Sequence, residues 1–343
     1  MSAKKYFSLI GIVSLIFIGF LYFSPEIFHH NRYTLTVLGN MYIFVILAVS
    51  YNLINGITGQ FSLEPNGFIA IGAYVTAILI LTPETKESMY MIEDALPLIR
   101  DIHLSNPFLV LLISGMVSAL LALTLAFPVF RVRGDYLAIV TLGFGFIIRI
   151  ILINNPEISN GSMGLDSIPA FASYTLIGII TLIVVLLVYN IVYSKYGRAM
   201  KAIRDDEDAA GAMGINTMKI KTLAFMGSAF FEGIGGGLLA SYIGSISPDQ
   251  FTFMLTFQLL IIIVLGGLGS MSGAIIATFL VMGGMEYLRP LDNPAFSILG
   301  FNGVPGMRMV VFSMILIVIM LFARKGLFGD KEIWELFKKG KKW

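Results

Sequence analysis

The stretch NLINGITGQFSLEPNGF, residues 52–68, separates two strongly apolar parts of the chain. It places glycines, asparagines, a glutamine, a carboxylate and a proline where apolar sequence would otherwise continue. Inside hydrocarbon every backbone N–H and C=O group needs a hydrogen-bond partner, so irregular backbone is tolerated only where protein buries it or where it lines a wet cavity. The stretch therefore predicts a broken membrane helix beside a path for a polar solute.

The composition places the chain in a bilayer. Of its 343 residues, 57% are hydrophobic and 13% are charged, whereas soluble domains carry about a quarter charged residues. Several apolar runs reach the ~20 residues that a helix needs to cross a bilayer core. The predicted fold class is all-α: one polytopic transmembrane domain over residues 1–343, with about ten transmembrane helices and broken or re-entrant segments.

The composition also excludes several kinds of site. Cysteine is absent, which rules out disulfides, thiol catalysis and cysteine-ligated metals. Three histidines are too few and too scattered for a metal centre, and a net charge of +2 gives no reason to expect nucleic acid as a partner.

The connections between the apolar runs predict an orientation. Lysine and arginine favour the cytoplasmic side of short loops, and they concentrate in the connection 194–221 and in the tail from 324. The connections 83–106 and 154–172 are poorer in basic residues. Both termini are therefore expected in the cytoplasm, and an eight-span arrangement that drops an adjacent pair keeps this orientation. The ten predicted helices cover residues 6–23, 35–54, 66–82, 107–130, 136–153, 173–193, 222–243, 254–265, 272–288 and 309–323.

The glycine and serine spacing of the first break is repeated far along the chain. Gly56-x-x-Gly59-x-x-Ser62 matches Gly266-x-x-Gly269-x-x-Ser272 position for position, and both lie between apolar helices. Such breaks in corresponding places indicate a translocation site in transporters. The competing interpretation is that small residues form helix-packing faces, which suits most of the other glycines, including FEGIGGG at 231–237. The residues predicted to line a substrate pathway are Asn52, Asn55, Gly56, Gly59, Gln60, Ser62, Gly266, Gly269 and Ser272.

Other ionisable residues also interrupt apolar sequence. Glu232 lies in the middle of a predicted helix and is expected to be buried, with a hydrogen bond to a neighbouring helix. Glu286 and Arg289 are spaced to pair with each other, and Arg149 is expected to reach toward the outer interface. Glu64 is expected near the cytoplasmic surface as a solvated carboxylate.

The long connection YSKYGRAMKAIRDDEDAAGAMGINTMKIKTLAF, residues 193–225, carries its own signal. Acids followed by helix formers predict a short helix over 205–214, because carboxylates stabilise a helix N-terminus. Gly214 suits its end, and Asn216 or Thr217 suits the start of the next helix. The helix is either a solvated connector or a docking element for a soluble partner.

At this stretch the chain resembles a known family. Residues 197–225, GRAMKAIRDDEDAAGAMGINTMKIKTLAF, are similar to the cytoplasmic loop of branched-chain amino acid ABC transporter permeases of the LivM type. The resemblance spans about residues 40–329. Further similar motifs are NLINGITGQFSLEPNGFIAIGAY, RVRGDYLAIVTLGFGFIIRI, SNGSMGL, SYIGSISPDQF, VLGGLGSMSGAIIATF and RKGLFG.

The sequence departs from the family pattern in places. Glu64 and Pro65 stand where the family usually has glycine and histidine, and Phe146 stands where a glutamate is common. The first departure touches the break itself, so the cargo need not be leucine, isoleucine or valine. Relatives of the same architecture that carry urea or short-chain amides are the alternative.

The resemblance implies a multi-subunit importer in the bacterial cytoplasmic membrane. It implies a second permease, two cytoplasmic ATPases and an external solute-binding protein, with membrane lipid around the permeases. The resemblance also implies that this chain binds no cofactor and is not an enzyme, and the sequence agrees in having no G-x-x-x-x-G-K-[ST] phosphate loop. ATP would be hydrolysed by the partners. The residues expected to contact the ATPase are Arg204, Glu207, Asp208, Ala209, Ala210 and Gly214.

Two other functional classes remain open from the residues alone. One is a proton- or sodium-coupled secondary transporter in which Glu232 is the coupling carboxylate. The other is a membrane-embedded enzyme, which the sequence disfavours because the predicted spans contain no clustered His/Asp set, Ser/His pair or paired carboxylates.

Overall fold

Helices account for nearly all the regular structure that the computed structural model describes. It describes residues 17–19, 21–22, 24–26, 32–90, 95–132, 134–293, 297–298, 301–302, 304–323, 325–329 and 331–333. In these ranges the only strands are the two-residue pair Ser297–Ile298 and Phe301–Asn302. The all-α class is confirmed. Most of the first predicted helix, 6–23, lies outside the described residues, and the described parts of it are helical.

The helices are numbered here in chain order. The first, α1 Arg32–Asn52, is continued directly by a single π-helical turn, Leu53–Ile57. The helices are α1 Arg32–Asn52, α2 Pro65–Ile80, α3 Pro83–Met89, α4 Pro97–Asp101, α5 Pro107–Val129, α6 Asp135–Asn154, α7 Pro156–Ser159, α8 Tyr174–Tyr193, α9 Lys195–Asp205, α10 Glu207–Ala212, α11 Thr217–Ile243, α12 Phe253–Gly266, α13 Met271–Tyr287 and α14 Met307–Phe322.

These helices make a polytopic membrane protein. Among the described residues seven helices are long and apolar enough to cross a bilayer, and eight if the bent pair α2 and α3 is counted as one span. The pair bends by 116°, which carries α3 out of line with α2. Helix α14 has 16 residues, which is short for a span. The total of ten spans stays a prediction.

Helix α11 lies at the centre and packs against α1, α2 and α5. Its glycines allow these close approaches: a Cβ on Gly233 would lie 2.8 Å from the Cβ of Ser118 on α5, and one on Gly236 would overlap the carbonyl oxygen of Ile69 on α2. Small residues at helix contacts allow dense packing where lipid offers no hydrophobic driving force. The packing interpretation of FEGIGGG is therefore confirmed.

Connections predicted to share one side of the membrane contact one another. At one end, Arg204 of α9 reaches the carbonyl oxygen of Gly56 at 3.4 Å. At the opposite end, the N–H of Leu96 donates to the carbonyl of Glu157 at 3.2 Å, and Leu165 and Ile246 exchange backbone hydrogen bonds. We call the first the break end and the second the outer end.

A buried lysine holds together part of the outer end. The Lys86 side chain on α3 is buried, and its Nζ donates to the carbonyl oxygens of Ile99 and Ile102 at 2.7 and 2.5 Å. Burial disfavours its charged form and lowers its pKa to about 8, against a smaller opposing effect of Asp101.

Candidate functional site: two helix breaks and the coupling segment

The first break leaves few backbone groups without partners. The π turn closes where both the N–H and the side-chain hydroxyl of Thr58 donate to the carbonyl of Leu53, at 3.2 and 2.9 Å. Gly59 then reverses the chain with a φ of +72°, a region that side-chain-bearing residues rarely adopt. The break is thus a folded element of the bundle.

The chain that leaves the break is tied back to α1. Ser62 donates its N–H to Asn55 Oδ1 at 2.8 Å, and its carbonyl accepts from Asn55 Nδ2 at 3.2 Å and from the Tyr51 hydroxyl at 2.6 Å. Both Asn55 and Ser62 are buried. These side chains satisfy the backbone that the break exposes, as buried irregular backbone requires.

The second break, Gly267–Ser270, joins α12 to α13. Gly269 has a φ of +92°, and Ser270 caps α13 by accepting from the N–H of Gly273 at 3.0 Å. A Cβ on Gly266 would lie 2.5 Å from the Gly273 carbonyl group. Glycine at these positions lets the two helices meet closely beside the turn.

The two breaks contact each other directly. Asn52 Oδ1 accepts from the N–H of Gly269 at 3.0 Å, and Asn52 Nδ2 donates to the carbonyl of Ser270 at 3.1 Å. A Cβ on Gly56 would overlap both Asn52 Oδ1 and the amide nitrogen of Gly269. The sequence echo therefore corresponds to a spatial pair, with the fully buried Asn52 as the bridge between its halves.

The chain after α14 closes over the second break. The N–H groups of Leu327 and Phe328 donate to the carbonyls of Leu265 and Gly266 at 2.8 and 3.2 Å. The carboxylate of Glu332 accepts from the N–H groups of Met271 and Ser272, both at 2.9 Å, and from the Ser272 hydroxyl. Glu332 is buried, so a tail residue caps the start of α13. No sequence signal had singled it out.

The connection from α8 to α11, which we call the coupling segment (residues 194–216), also lies at the break end. Asp206 caps α10 by accepting from the N–H groups of Asp208 and Ala209 at 3.0 and 2.9 Å. The helix covers Glu207–Ala212, so it is shorter than the predicted 205–214, and Gly214 lies beyond its end. Asn216 caps α11. Lys221 is buried and pairs with Glu207 at 2.5 Å, which fixes α10 against the start of α11.

The six residues expected to contact an ATPase face different ways. Asp208, Ala209 and Gly214 are exposed and Ala210 is buried. Glu207 turns toward Lys221, and the half-buried Arg204 turns toward the breaks. Beside Gly214, Met213 is 84% exposed and was missed. The sequence signal for it is weak, since single exposed apolar residues are common on protein surfaces.

The residues predicted to line a pathway are mostly engaged with one another. Asn52, Asn55 and Ser62 are buried in the hydrogen bonds described above, Gln60 is half-buried, and Gly59 is exposed. Gly56, Gly266 and Gly269 are buried, and the half-buried Ser272 is bound to Glu332. Asn, Gln and Ser side chains therefore surround the two backbone breaks.

A cavity of about 810 Å³ lies at the other end of α1 and α13. It contains the Glu286–Arg289 pair, whose Oε1–Nη1 distance of 3.2 Å confirms the predicted pairing, and the Asp292–Arg308 pair at 2.9 Å. Its charges neutralise one another in pairs.

Two buried carboxylates lie inside the bundle. Glu64 is 0% exposed and contacts the Ser62 hydroxyl, so the expectation of a solvated surface carboxylate is wrong. Glu232 is also buried, but its hydrogen bond at 2.9 Å is to Ser228 one turn earlier on its own helix. Ser228 in turn reaches the carbonyl of Ser50 on α1 at 2.7 Å. The neighbouring-helix contact is therefore indirect.

At the outer end, Arg149 pairs with Asp249 at 2.5 Å. Across the described part of the chain, no group of three or more histidine or carboxylate side chains is arranged to hold a metal ion.

Comparison with known proteins identifies similar chains. The family described as "Branched-chain amino acid transport system / permease component" matches residues 33–321. The high-affinity branched-chain amino acid transport system permease protein LivM of Salmonella typhimurium is 34% identical over 75% of this chain and 64% of its own length, so this chain spans less than two thirds of that relative. LivM of Escherichia coli K12 is 32% identical over 79% of this chain and 67% of its own length. LivH of Salmonella typhimurium is 26% identical over 92% of this chain and 98% of its own length. No solved structure matches.

Proposed function

The chain belongs to the permease components of branched-chain amino acid transport systems, and we propose from this that it is the membrane subunit of an ATP-driven importer for branched-chain or related amino acids. It sits in the bacterial cytoplasmic membrane with its break end and both termini in the cytoplasm. The observation that carries the proposal is the meeting of two helix breaks and the coupling segment at one end of the bundle.

The pathway runs between the breaks. In the arrangement described, Asn52, Asn55 and Ser62 use their hydrogen-bonding groups on each other and on the breaks, which closes the break end. Separating the breaks hydrates these groups and exposes backbone dipoles to the charged ends of an amino acid. The exposed Phe61 beside them offers apolar surface to an aliphatic side chain.

The chain uses energy supplied by partners and is not itself an enzyme or a cofactor-binding protein. The partners are two cytoplasmic ATPases, a second permease and an external solute-binding protein. Similarity to relatives named LivM and LivH alike, the latter over 92% of this chain, supports pairing with a related but different permease.

The ATPase docks on the exposed tip of the coupling segment. Asp208, Ala209, Gly211, Met213 and Gly214 are exposed there. The glycines and alanine allow close approach, Asp208 orients the encounter, and Met213 supplies the apolar anchor. Burying a methionine side chain contributes roughly 1.5–3 kcal/mol.

Substitution of Met213 tests the docking surface. Met213→Asp should weaken co-purification of the ATPases by about tenfold or more, since loss of a buried anchor costs at least ~1.4 kcal/mol. Lys219→Ala is the matched control, because Lys219 is exposed nearby but outside the tip. Thermal stability should be unchanged in both variants. Equal ATPase capture by both would place the docking surface elsewhere.

The cargo is tested with the reconstituted complex. Binding proteins loaded with leucine, isoleucine, valine, urea or a short-chain amide are added to proteoliposomes that contain both permeases and both ATPases, and ATP hydrolysis and uptake are followed. Stimulation by the aliphatic amino acids supports the proposal, and stimulation by urea or amides alone reassigns the cargo. Uptake without ATP that an uncoupler abolishes would indicate an ion-coupled transporter instead.

A further inference from the structure

We infer that Arg204 is a positioning residue that links the coupling segment to both helix breaks at once. Arg204 is the penultimate residue of α9 and lies two residues before Asp206, the cap of α10. It was expected to face the ATPase, but its side chain lies against the membrane domain. The inference rests on the proposed function, because it concerns how ATPase movement reaches the breaks.

The contacts of Arg204 reach both halves of the echoed motif. Its Nη1 donates to the carbonyl of Gly56 at 3.4 Å. A Cβ on Gly59 would lie 2.5 Å from its Cγ, and a Cβ on Gly269 would lie 2.8 Å from Nη1. The aliphatic stem therefore packs on the first break, and the guanidinium reaches the second. Arginine combines a long apolar stem with a planar group of several donors, and lysine does not reproduce this geometry.

The absence of side chains at the two glycines creates the space for Arg204. Gly59 and Gly269 both have positive φ angles. Glycine at these positions therefore permits the backbone turn and also leaves room for the arginine side chain. Asp205 binds the other edge of the guanidinium, with Oδ1 at 3.3 Å from Nε and 3.2 Å from Nη2. With only 28% of its side chain exposed, Arg204 is held between the breaks and cannot serve as a freely moving contact to a soluble partner.

This arrangement explains how a push on a surface helix is transmitted. Displacement of α10 by an ATPase moves the end of α9, to which Asp206 directly joins it, and Arg204 moves with α9. Because Arg204 touches both breaks, and Asn52 already ties them to each other, they respond together. The residue acts on the pathway through the breaks, without contacting the cargo.

The test compares transport with ATP consumption in the whole reconstituted complex. Arg204→Ala should keep ATP hydrolysis while lowering cargo uptake per ATP by about tenfold, within the range of typical coupling between sites. Arg204→Lys should be intermediate, since its stem still packs on Gly59. Arg198→Ala is the control: Arg198 lies on the same helix and donates to the carbonyl of Tyr193. The inference is overturned if Arg204→Ala and Arg198→Ala give the same cargo uptake per ATP. It is also overturned if Arg204→Ala loses assembly and stability while its uptake per ATP stays unchanged.

A distance measurement decides the matter independently of the cargo. The chain has no cysteine, so spin labels placed at Gln60→Cys and Lys331→Cys before the complex is assembled attach to this chain at those two positions alone and report the separation of the breaks. A non-hydrolysable ATP analogue should change this distance in the otherwise unaltered complex and leave it unchanged with Arg204→Ala. The same change of distance in the unaltered complex and in the Arg204→Ala complex would refute the role of Arg204 as a link between the coupling segment and the breaks. Failure of the unaltered complex to move any cargo would refute the proposed function, while the distance result would still decide the role of Arg204.

Discussion

Gly56→Ala tests whether the two breaks pack as closely as described. The added methyl group would overlap Asn52 Oδ1 and the amide nitrogen of Gly269. Asn52 cannot swing aside freely, because it is fully buried and both of its polar atoms are hydrogen-bonded to the second break. Overpacking costs about 1–3 kcal/mol, and weakening two hydrogen bonds adds roughly 0.5–1.5 kcal/mol each, so we expect a loss of ~2–6 kcal/mol.

Gly143→Ala is the matched control for this substitution. Gly143 lies within α6, and a Cβ there would meet nothing within 4 Å. Alanine in a helix interior is favoured over glycine by up to ~1 kcal/mol, so this variant should be neutral or slightly more stable. Thermal unfolding in lipid nanodiscs measures both. If Gly56→Ala unfolds at the same temperature as Gly143→Ala, the breaks do not pack against each other as described.

Three other perturbations probe the rest of the bundle. Glu332→Ala should destabilise the break end by about 2–3 kcal/mol, because two backbone N–H groups and a helix N-terminus lose their carboxylate. Glu332→Gln should lose less stability, and the protease resistance of the tail measures the effect of both substitutions. Between pH 8 and 10.5 Lys86 is mostly neutral in the folded protein, while in the unfolded chain it still binds a proton. Raising the pH through this range should therefore stabilise the folded state, and the protease resistance of segment 83–106 should rise more than it does in Lys86→Met. The same pH dependence in both proteins would contradict the lowered pKa of Lys86. Asp249→Asn should change the unfolding free energy by less than about 1 kcal/mol, since Asp249 is 72% exposed in its pair with Arg149; a larger thermal shift would show that the pair is shielded from water.

Much of the fold was predictable because it depends on local composition. Apolar runs fixed the helices, and the glycine spacing located both breaks. The pairing of the breaks was not predictable, since the partners of Asn52 lie 217 and 218 residues further along the chain. A side-chain amide that binds backbone groups leaves no complementary pattern in the sequence.

Contacts between distant parts of the chain also explain why one residue was missed and why two others were predicted to face the wrong surroundings. Glu332 binds backbone N–H groups, which every residue type supplies. The direction of Arg204 depends on how α9 rotates, and this is set by burial of Met200 and Ile203 on its inner face. Glu64 was placed at the surface because an acid after a break suggests solvent, but the bundle encloses it.

The tail contact at Glu332 has a consequence for biosynthesis. Because Glu332 follows α14 in the chain, the hydrogen bonds that hold the start of α13 cannot be completed until translation has passed residue 332. Nascent chains therefore insert their helices before the second break is held in place, although Gly269 and Ser270, the partners of Asn52, have already been made. We expect a chain truncated after residue 323 to insert its helices yet stay open to protease at the second break, residues 267–270, and the chain of 343 residues to be protected there.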